Sequence, residues 1–280
     1  MASLYRGMDR AALDRAYNNR NAVADYPAIA AERKARSDRV RGARRFLPDL
    51  RYGDAQRERL DFFPADADRA PILVFIHGGY WQTNDKEASS FLVEGPLARG
   101  FSVALVEYTL APEATMERIV GEARRAVEWL ARTAASLGGR ADAIVVCGHS
   151  AGGHLAATLI DHPAVAATLP ISGLFDLEPI RLNYLNEKLR LTVDDAARHS
   201  PLLHLPAACP PAVVAVGAGE LPELVRQSAD YAEALRSKGL PVKYLPLAGH
   251  DHFTVLEELA SPDGRLCEAL AGLLSDLDAR

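Results

Sequence analysis

Residues 143–153 read AIVVCGHSAGG, and this stretch decides the fold of the chain. Five apolar residues come first, and a continuous run of this kind is typical of a strand buried on both faces, as in a parallel sheet. The sequence G-x-S-x-G follows in Gly148–Gly152 and leads into a helical pattern. A sharp turn between strand and helix exposes the serine at the start of the helix, where free N–H groups favour negative charge. We therefore predict that Ser150 is a nucleophile.

Short apolar runs alternate with helical patterns on both sides of this stretch, which predicts an α/β fold with a doubly wound, mostly parallel sheet. Active sites in such sheets lie outside the carboxyl ends of the strands. The predicted strands cover residues 58–63, 72–76, 103–107, 143–147, 167–171, 212–216 and 242–246. The predicted helices cover residues 8–17, 26–44, 87–99, 116–136, 153–161, 223–238 and 266–278.

The length of 280 residues would allow about two domains at about 150 residues each. The motifs all fall on one predicted sheet, so we predict a single domain over 1–280. Residues 1–56 form an N-terminal helical arm in this prediction, because their apolar content is too small for a separate core. The proline-rich residues 174–211 interrupt the alternation and form an insertion over the active site, as a lid or pocket wall. A surface excursion without a role is the alternative.

Composition excludes several classes of protein. The net charge is −5, which argues against a nucleic-acid-binding protein. No apolar run approaches the roughly 18 residues that span a bilayer, so we expect no membrane partner. The three cysteines are too few and too scattered for a disulfide framework or a zinc site, which favours the cytoplasm. The expected partner is a small-molecule substrate, and a homodimer is left open.

A second motif, His77-Gly78-Gly79-Tyr80-Trp81, follows the predicted strand 72–76. Its arrangement upstream of the serine motif is that of lipases and esterases. We assign the N–H groups of Gly78, Gly79 and Ala151 to an oxyanion hole and give His77 a structural role. Tyr80 and Trp81 could line a substrate pocket, or they could simply pack in the core. The candidates for this pocket are Tyr80, Trp81, Phe175 and Tyr184.

The base and the acid should follow the serine in the order Ser, acid, His. We choose His252 as the base because it lies in the loop after the last predicted strand, and we keep His250 as the reserve. Glu220 follows the strand 212–216 and is the preferred acid. Glu223 is the other candidate, but a glutamate in the first turn of a helix is already explained by the helix dipole. No third ligand accompanies the two histidines, so we expect no metal and no cofactor.

Four segments together resemble the arylformamidase (kynurenine formamidase) branch of the α/β-hydrolase superfamily, which is close to the hormone-sensitive-lipase-type carboxylesterases. The resemblance runs from about residue 55 to the end, and the arm sequence Tyr17-Asn18-Asn19-Arg20 is similar to that of bacterial members. It implies an α/β-hydrolase fold with a catalytic triad of Ser150, Glu220 and His252. The family usually carries aspartate where Glu220 stands. The segments are HGGYWQ at 77–82, GHSAGGH at 148–154, ELPE at 220–223 with RQS at 226–228, and DHF at 251–253.

Three functions compete on these grounds. The first is hydrolysis of N-formyl-L-kynurenine to kynurenine and formate, a step of tryptophan catabolism, as the resemblance implies. The second is a general carboxylesterase for short-chain or aryl esters, since one triad serves both reactions. The third is a binding protein without catalysis, which would typically have lost a member of the triad.

Overall fold

The computed structural model describes residues 3–278, and its centre is one eight-stranded sheet. Continuous apolar runs form the middle strands, and β3 and β6 are buried along their whole length. The strands are β1 (Leu47–Arg51), β2 (Arg59–Phe63), β3 (Ala70–Ile76), β4 (Ser102–Val106), β5 (Gly139–His149), β6 (Ala167–Ile171), β7 (Ala212–Gly217) and β8 (Val242–Leu247).

The strands run in the order β1-β2-β4-β3-β5-β6-β7-β8. Strands β3 to β8 pair in parallel, whereas β2 is antiparallel to both β1 and β4. The side chains of a strand alternate between the two faces of the sheet. In β3, Ile72 and Val74 accordingly belong to the apolar core on one face, and Leu73 and Phe75 belong to the core on the other. The fold is the mostly parallel α/β fold that the alternation predicted.

Helices cover both faces of the sheet and surround its carboxyl edge. The longest are α3, α5 and α10, and α5 begins at a Thr115 side chain that accepts a hydrogen bond from the amide of Arg118. The helices are α1 (Arg10–Ala16), α2 (Asn19–Ala22), α3 (Tyr26–Ala43), α4 (Glu94–Ala98), α5 (Met116–Thr133), α6 (Ala151–Ala157), α7 (Glu178–Arg181), α8 (Asn186–Leu189), α9 (Val193–Arg198), α10 (Pro222–Ser237), α11 (Glu257–Ala260) and α12 (Arg265–Asp278).

The N-terminal segment differs from the all-helical arm that the sequence predicted. Residues Leu47–Arg51 form the edge strand β1, which pairs with β2. Four of its five residues are exposed, so it lacks the apolar signal by which the other strands were recognised. The predicted helix 87–99 is also divided, into a 3₁₀ helix over Glu87–Leu92 and the separate helix α4.

Side-chain hydrogen bonds tie the N-terminal segment to the rest of the fold. The Tyr5 hydroxyl donates to Asp176 at 2.7 Å, and the Tyr17 hydroxyl donates to Glu223 at 3.1 Å. The amide of Tyr184, in the insertion, donates to Asp14 of α1 at 2.8 Å. The arm and the insertion are therefore in contact. None of the helices within residues 3–278 combines the length and apolar character required to traverse a bilayer.

Candidate active site

Ser150 occupies a strained turn between β5 and α6. Its backbone has φ 57° and ψ −117°, which is a region that non-glycine residues rarely adopt. The neighbouring glycines are required by close contacts: a Cβ on Gly148 would overlap the carbonyl of Gly152, and a Cβ on Gly152 would overlap the carbonyl of Ile76. The turn directs Ser150 into a cavity of about 390 Å³ that His252 also lines.

Glu220 and His252 form a direct pair beside this cavity. The Nδ1 atom of His252 lies 2.6 Å from Oε2 of Glu220, and both residues are buried. The other oxygen of Glu220, Oε1, accepts hydrogen bonds from the Ser172 hydroxyl at 2.5 Å and from the Gly217 amide at 2.8 Å. Three donors thus hold one carboxylate. Gly217 ends β7, and Ser172 and Glu220 lie just beyond the ends of β6 and β7, where a parallel sheet places its active site.

Glu223 and His250, the other candidates for the acid and the base, bind other partners. Glu223 accepts hydrogen bonds from Arg226 at 2.7 Å and from Tyr17. Burial alone would raise the pKa of Glu223, but Arg226 reverses this and the pKa is lowered. His250 contacts Glu258 through Nε2 at 2.9 Å. Among the side chains that the structure describes, in residues 3–275, no three His, Cys, Asp or Glu residues form a group that could hold a metal ion.

The ring of His149 packs against the ring of His252. The ring centroids are 4.6 Å apart, and Nε2 of His149 lies 2.8 Å from the carbonyl oxygen of His252. Burial, together with the neighbouring His252 and Arg33, lowers the pKa of His149 well below its ordinary value. His149 therefore stays neutral, and its Nε2–H donates to the carbonyl of His252. This hydrogen bond fixes the backbone of the loop that carries His252.

The glycines predicted for the oxyanion hole lie next to Ser150. A Cβ on Gly78 would come within 2.7 Å of the His149 carbonyl oxygen and 3.1 Å of the Ser150 Cβ, so only glycine permits this approach. Gly79 has φ 110°, which also favours glycine. The amides of Gly78 and Gly79 donate to no acceptor among residues 3–278. Ala151 is the first residue of α6, so its amide has no partner within the helix.

A buried network under this loop gives His77 a structural position. Its Nε2 lies 3.1 Å from Glu107 Oε1, and its ring stacks on Tyr108 with centroids 4.4 Å apart. Arg57 donates to the same Glu107 oxygen at 2.5 Å and to the carbonyl of Asn84 at 2.7 Å. Burial would raise the pKa of Glu107, but His77 and Arg57 outweigh it, so the pKa is lowered and the carboxylate is ionised.

The four predicted pocket aromatics divide into two pairs. Tyr80 and Tyr184 line the cavity, whereas Trp81 and Phe175 do not. Trp81 is fully buried and meets His154 edge-on, with centroids 5.0 Å apart. Phe175 is also fully buried and stacks on Tyr231 at 4.3 Å. The prediction that Trp81 and Phe175 line the pocket is therefore wrong, because both pack in the core. For Trp81, core packing was the alternative.

The sequence interpretation missed the arm residues that close one side of the cavity. Asn19, Tyr26 and Arg33 line it. Tyr80 is held by this arm, since its hydroxyl donates to the Tyr17 carbonyl at 2.6 Å and accepts from Asn19 Nδ2 at 3.0 Å. The sequence Tyr17-Asn18-Asn19-Arg20 indicates these residues, because a polar stretch with two asparagines is more typical of a binding surface than of a core.

Comparisons with known proteins agree with this geometry. A family model described as BD-FAE matches residues 60–162. The kynurenine formamidase of Danio rerio is 32% identical over 256 residues, covering 86% of each protein. A crystal structure from Silicibacter sp. TM1040, provisionally named a thioesterase, has a TM-score of 0.84 and 30% identity, covering 92% of this chain and 98% of that one. The esterase of Pyrobaculum calidifontis shares the fold, with a TM-score of 0.72, 22% identity and coverage of 90% and 92%.

Proposed function

The chain belongs to the kynurenine formamidase family of α/β-hydrolases, and on this premise we propose that it hydrolyses N-formyl-L-kynurenine to kynurenine and formate. One observation carries the proposal from the family to this chain. Ser150, His252 and the Gly78–Gly79 loop line one cavity, with Glu220 bonded to the far side of the His252 ring. The proposed site is therefore complete for acyl transfer.

The reaction in this proposal begins when the Ser150 hydroxyl attacks the formyl carbon. His252 takes the hydroxyl proton through Nε2, because Nδ1–H is engaged with Glu220. The tetrahedral intermediate collapses when His252 delivers that proton to the leaving arylamine, which departs as kynurenine. Water then attacks the formyl ester on Ser150 with His252 again as the base, and formate leaves. Glu220 holds the imidazole and stabilises its protonated form.

The amides of Gly78, Gly79 and Ala151 are the proposed donors to the negative oxygen of each intermediate. Loss of one such donor costs about 3–4 kcal/mol in the barrier of serine hydrolases in general. The aromatic rings of Tyr80 and Tyr184 on the cavity wall suit an aryl leaving group. The free thiols Cys147, Cys209 and Cys267 support a further proposal, that the protein works in the reducing cytoplasm.

The test measures formate release from N-formylkynurenine by the whole chain. Ser150→Ala should lower kcat/KM at least about a thousandfold with an unchanged melting temperature. Ser136→Ala is the matched control, since Ser136 is exposed and bonds only to the carbonyl of Thr133. Undiminished formate release by Ser150→Ala would refute the assignment of the nucleophile.

Carboxylester hydrolysis is the second candidate, because the same groups attack an ester carbonyl and the esterase of Pyrobaculum calidifontis has the same fold. The two functions are separated by kcat/KM for N-formylkynurenine against short p-nitrophenyl esters. A preference for the esters by several orders of magnitude would replace the first proposal by the second.

A further inference from the structure

The cavity around Ser150 is lined by positively charged residues and by no negatively charged ones that the structure describes. Apart from histidines, its charged lining residues are all basic, and no Asp or Glu side chain that the structure describes, within residues 3–275, belongs to the lining. The chain as a whole has a net charge of −5, so this cavity differs in sign from the average of the protein. A cleft lined by one sign of charge attracts ligands of the opposite sign. The basic residues are Arg20, Arg33, Lys34 and Lys188.

Two of these cations are already paired with carboxylates. Arg33 donates to Glu257 through Nη2 at 3.1 Å and also to the carbonyl of Phe253. Lys34 lies 2.7 Å from Asp38, one helical turn further along α3. The charge of the largely buried Arg33 is therefore compensated within the protein, whereas the Lys34–Asp38 pair is exposed to solvent and compensates Lys34 only weakly.

Arg20 and Lys188 form no ion pair with any carboxylate among the residues that the structure describes. Nη2 of Arg20 donates to the Thr83 hydroxyl at 3.3 Å, and the guanidinium lies over the ring of Tyr26 at 5.4 Å. These contacts orient the side chain but use only one of the five N–H groups of a guanidinium. Arg20 is therefore positioned and still able to bind an anion.

Both residues lie at the mouth of the cavity, because they line it and are also exposed to solvent. Arg20 belongs to α2 of the arm, and Lys188 belongs to α8 of the insertion. Gln82 Nε2 donates to the Leu185 carbonyl at 2.9 Å, which fixes α8 against the loop that follows Gly79. Two of the segments at the mouth thus each contribute one cation that has no ion-pair partner among the described residues.

We propose that Arg20 and Lys188 form an anion-recognition subsite for the carboxylate of an amino-acid substrate. This inference rests on the proposed function and makes it more specific. With the formyl carbon at Ser150 and the aryl ring against Tyr80 and Tyr184, the remaining end of the substrate points to the mouth. A guanidinium binds a carboxylate through two parallel N–H groups, so Arg20 contributes more than Lys188.

The experiment compares two formamides, N-formylkynurenine, which carries a carboxylate, and N-formylaniline, which does not. We expect Arg20→Ala to raise KM for N-formylkynurenine about tenfold and to leave KM for N-formylaniline within about twofold. Arg20→Lys should restore part of the loss. N-formylkynurenine is a zwitterion, so only the local contact of its carboxylate is screened by salt. Its KM should therefore rise modestly with ionic strength in the wild type, and less steeply in Arg20→Ala.

Arg15→Ala and Lys243→Ala are the matched controls, since both residues are exposed and neither lines the cavity. Lys188→Ala should raise KM for N-formylkynurenine by a few fold, and Lys243→Ala should not. Equal losses on both formamides would mean that Arg20 only supports the structure, and no loss on either would mean that it binds no substrate. Each of these results would overturn the proposal.

If the proposed function is wrong, the wild type will cleave p-nitrophenyl acetate but neither formamide. This result is distinct from the results that test the subsite. The same variants would then be compared on 4-acetoxybenzoate and phenyl acetate, which differ only in a carboxylate on the leaving group. Loss confined to 4-acetoxybenzoate would sustain the subsite without the formamidase function. Equal behaviour on the two esters would overturn the subsite as well.

Discussion

His252 and Glu220 are joined by a hydrogen bond of 2.6 Å between Nδ1 and Oε2. A carboxylate only accepts, so the proton lies on Nδ1 and Nε2 of His252 is left as an acceptor. Glu220 stands where the family usually carries the shorter aspartate, and Ser172 and Gly217 hold its other oxygen by hydrogen bonds.

The first prediction concerns the choice between the two glutamates. Glu220→Gln should lower kcat about 10³- to 10⁴-fold, because the neutral amide no longer stabilises the protonated imidazole. Glu223→Gln should change kcat less than about threefold, since Glu223 contacts Arg226 and Tyr17 instead of His252. Steady-state kinetics on N-formylkynurenine measure both. A larger loss in Glu223→Gln would reverse the assignment of the acid.

The second prediction concerns Ser172. It separates the effect of the hydroxyl on catalysis from the effect of the backbone conformation on stability. Its φ is 52°, in the left-handed region where glycine is favoured. Ser172→Ala and Ser172→Gly both remove the donor to Glu220 and should lower kcat by a similar factor of about ten. Ser172→Gly should melt at a higher temperature than Ser172→Ala, because its backbone is not strained. Thermal unfolding tests this order, and unchanged kcat in both variants would show that the hydroxyl does not position Glu220.

The third prediction is a pH dependence of stability that comes from His154. Burial lowers its pKa to about 3, and Nε2 lies 2.7 Å from the carbonyl of His199. In the unfolded chain the pKa returns to about 6.5, so between pH 6.5 and 3 only the unfolded state binds the proton. The free energy of unfolding should therefore decrease as the pH is lowered through this window. His154 contributes at most about 1.4 kcal/mol per pH unit to this decrease.

His154→Gln isolates this contribution, because glutamine retains a donor and does not titrate. The stability of the wild type relative to His154→Gln should decrease from pH 7 to pH 4 in urea titrations. A difference that stays constant with pH would show that the folded state also protonates His154.

The fourth prediction concerns the arm. Tyr80→Phe removes the hydroxyl that donates to Tyr17 and accepts from Asn19, and both partners would lose their bond. We expect a loss of about 1–3 kcal/mol in stability and faster amide hydrogen exchange in α2. Tyr244→Phe on β8 is the control. Unchanged exchange in α2 would mean that Tyr80 does not anchor the arm.

The sequence was sufficient for the parts of the fold that carry a local signal. The buried strand β3 and residues 143–147 of β5 are continuous apolar runs, and the ends of these strands place the Gly78–Gly79 loop and Ser150 side by side. The polar edge strand β1 gives no such signal, because four of its five residues face solvent and its pairing with β2 alone defines it.

The pocket was less predictable, because side-chain direction depends on the backbone. Tyr80 and Trp81 are neighbours with φ of 52° and 57°, and this unusual geometry sends one ring to the cavity and the other into the core. The arm residues depend on contacts across the whole chain. The hydrogen bond from Asn19 to Tyr80, for example, joins positions that no local pattern relates.

The hydrogen bonds of Arg33 in α3 with Phe253 and Glu257 join residues more than 200 positions apart. During synthesis the ribosome makes the arm before the His252 loop, so the arm lacks this partner while the sheet forms. The cavity wall can close only when residues near 257 have left the exit tunnel. Until then the nascent chain exposes the Tyr26 side of α3, and a chaperone that covers this helix would delay the completion of the site.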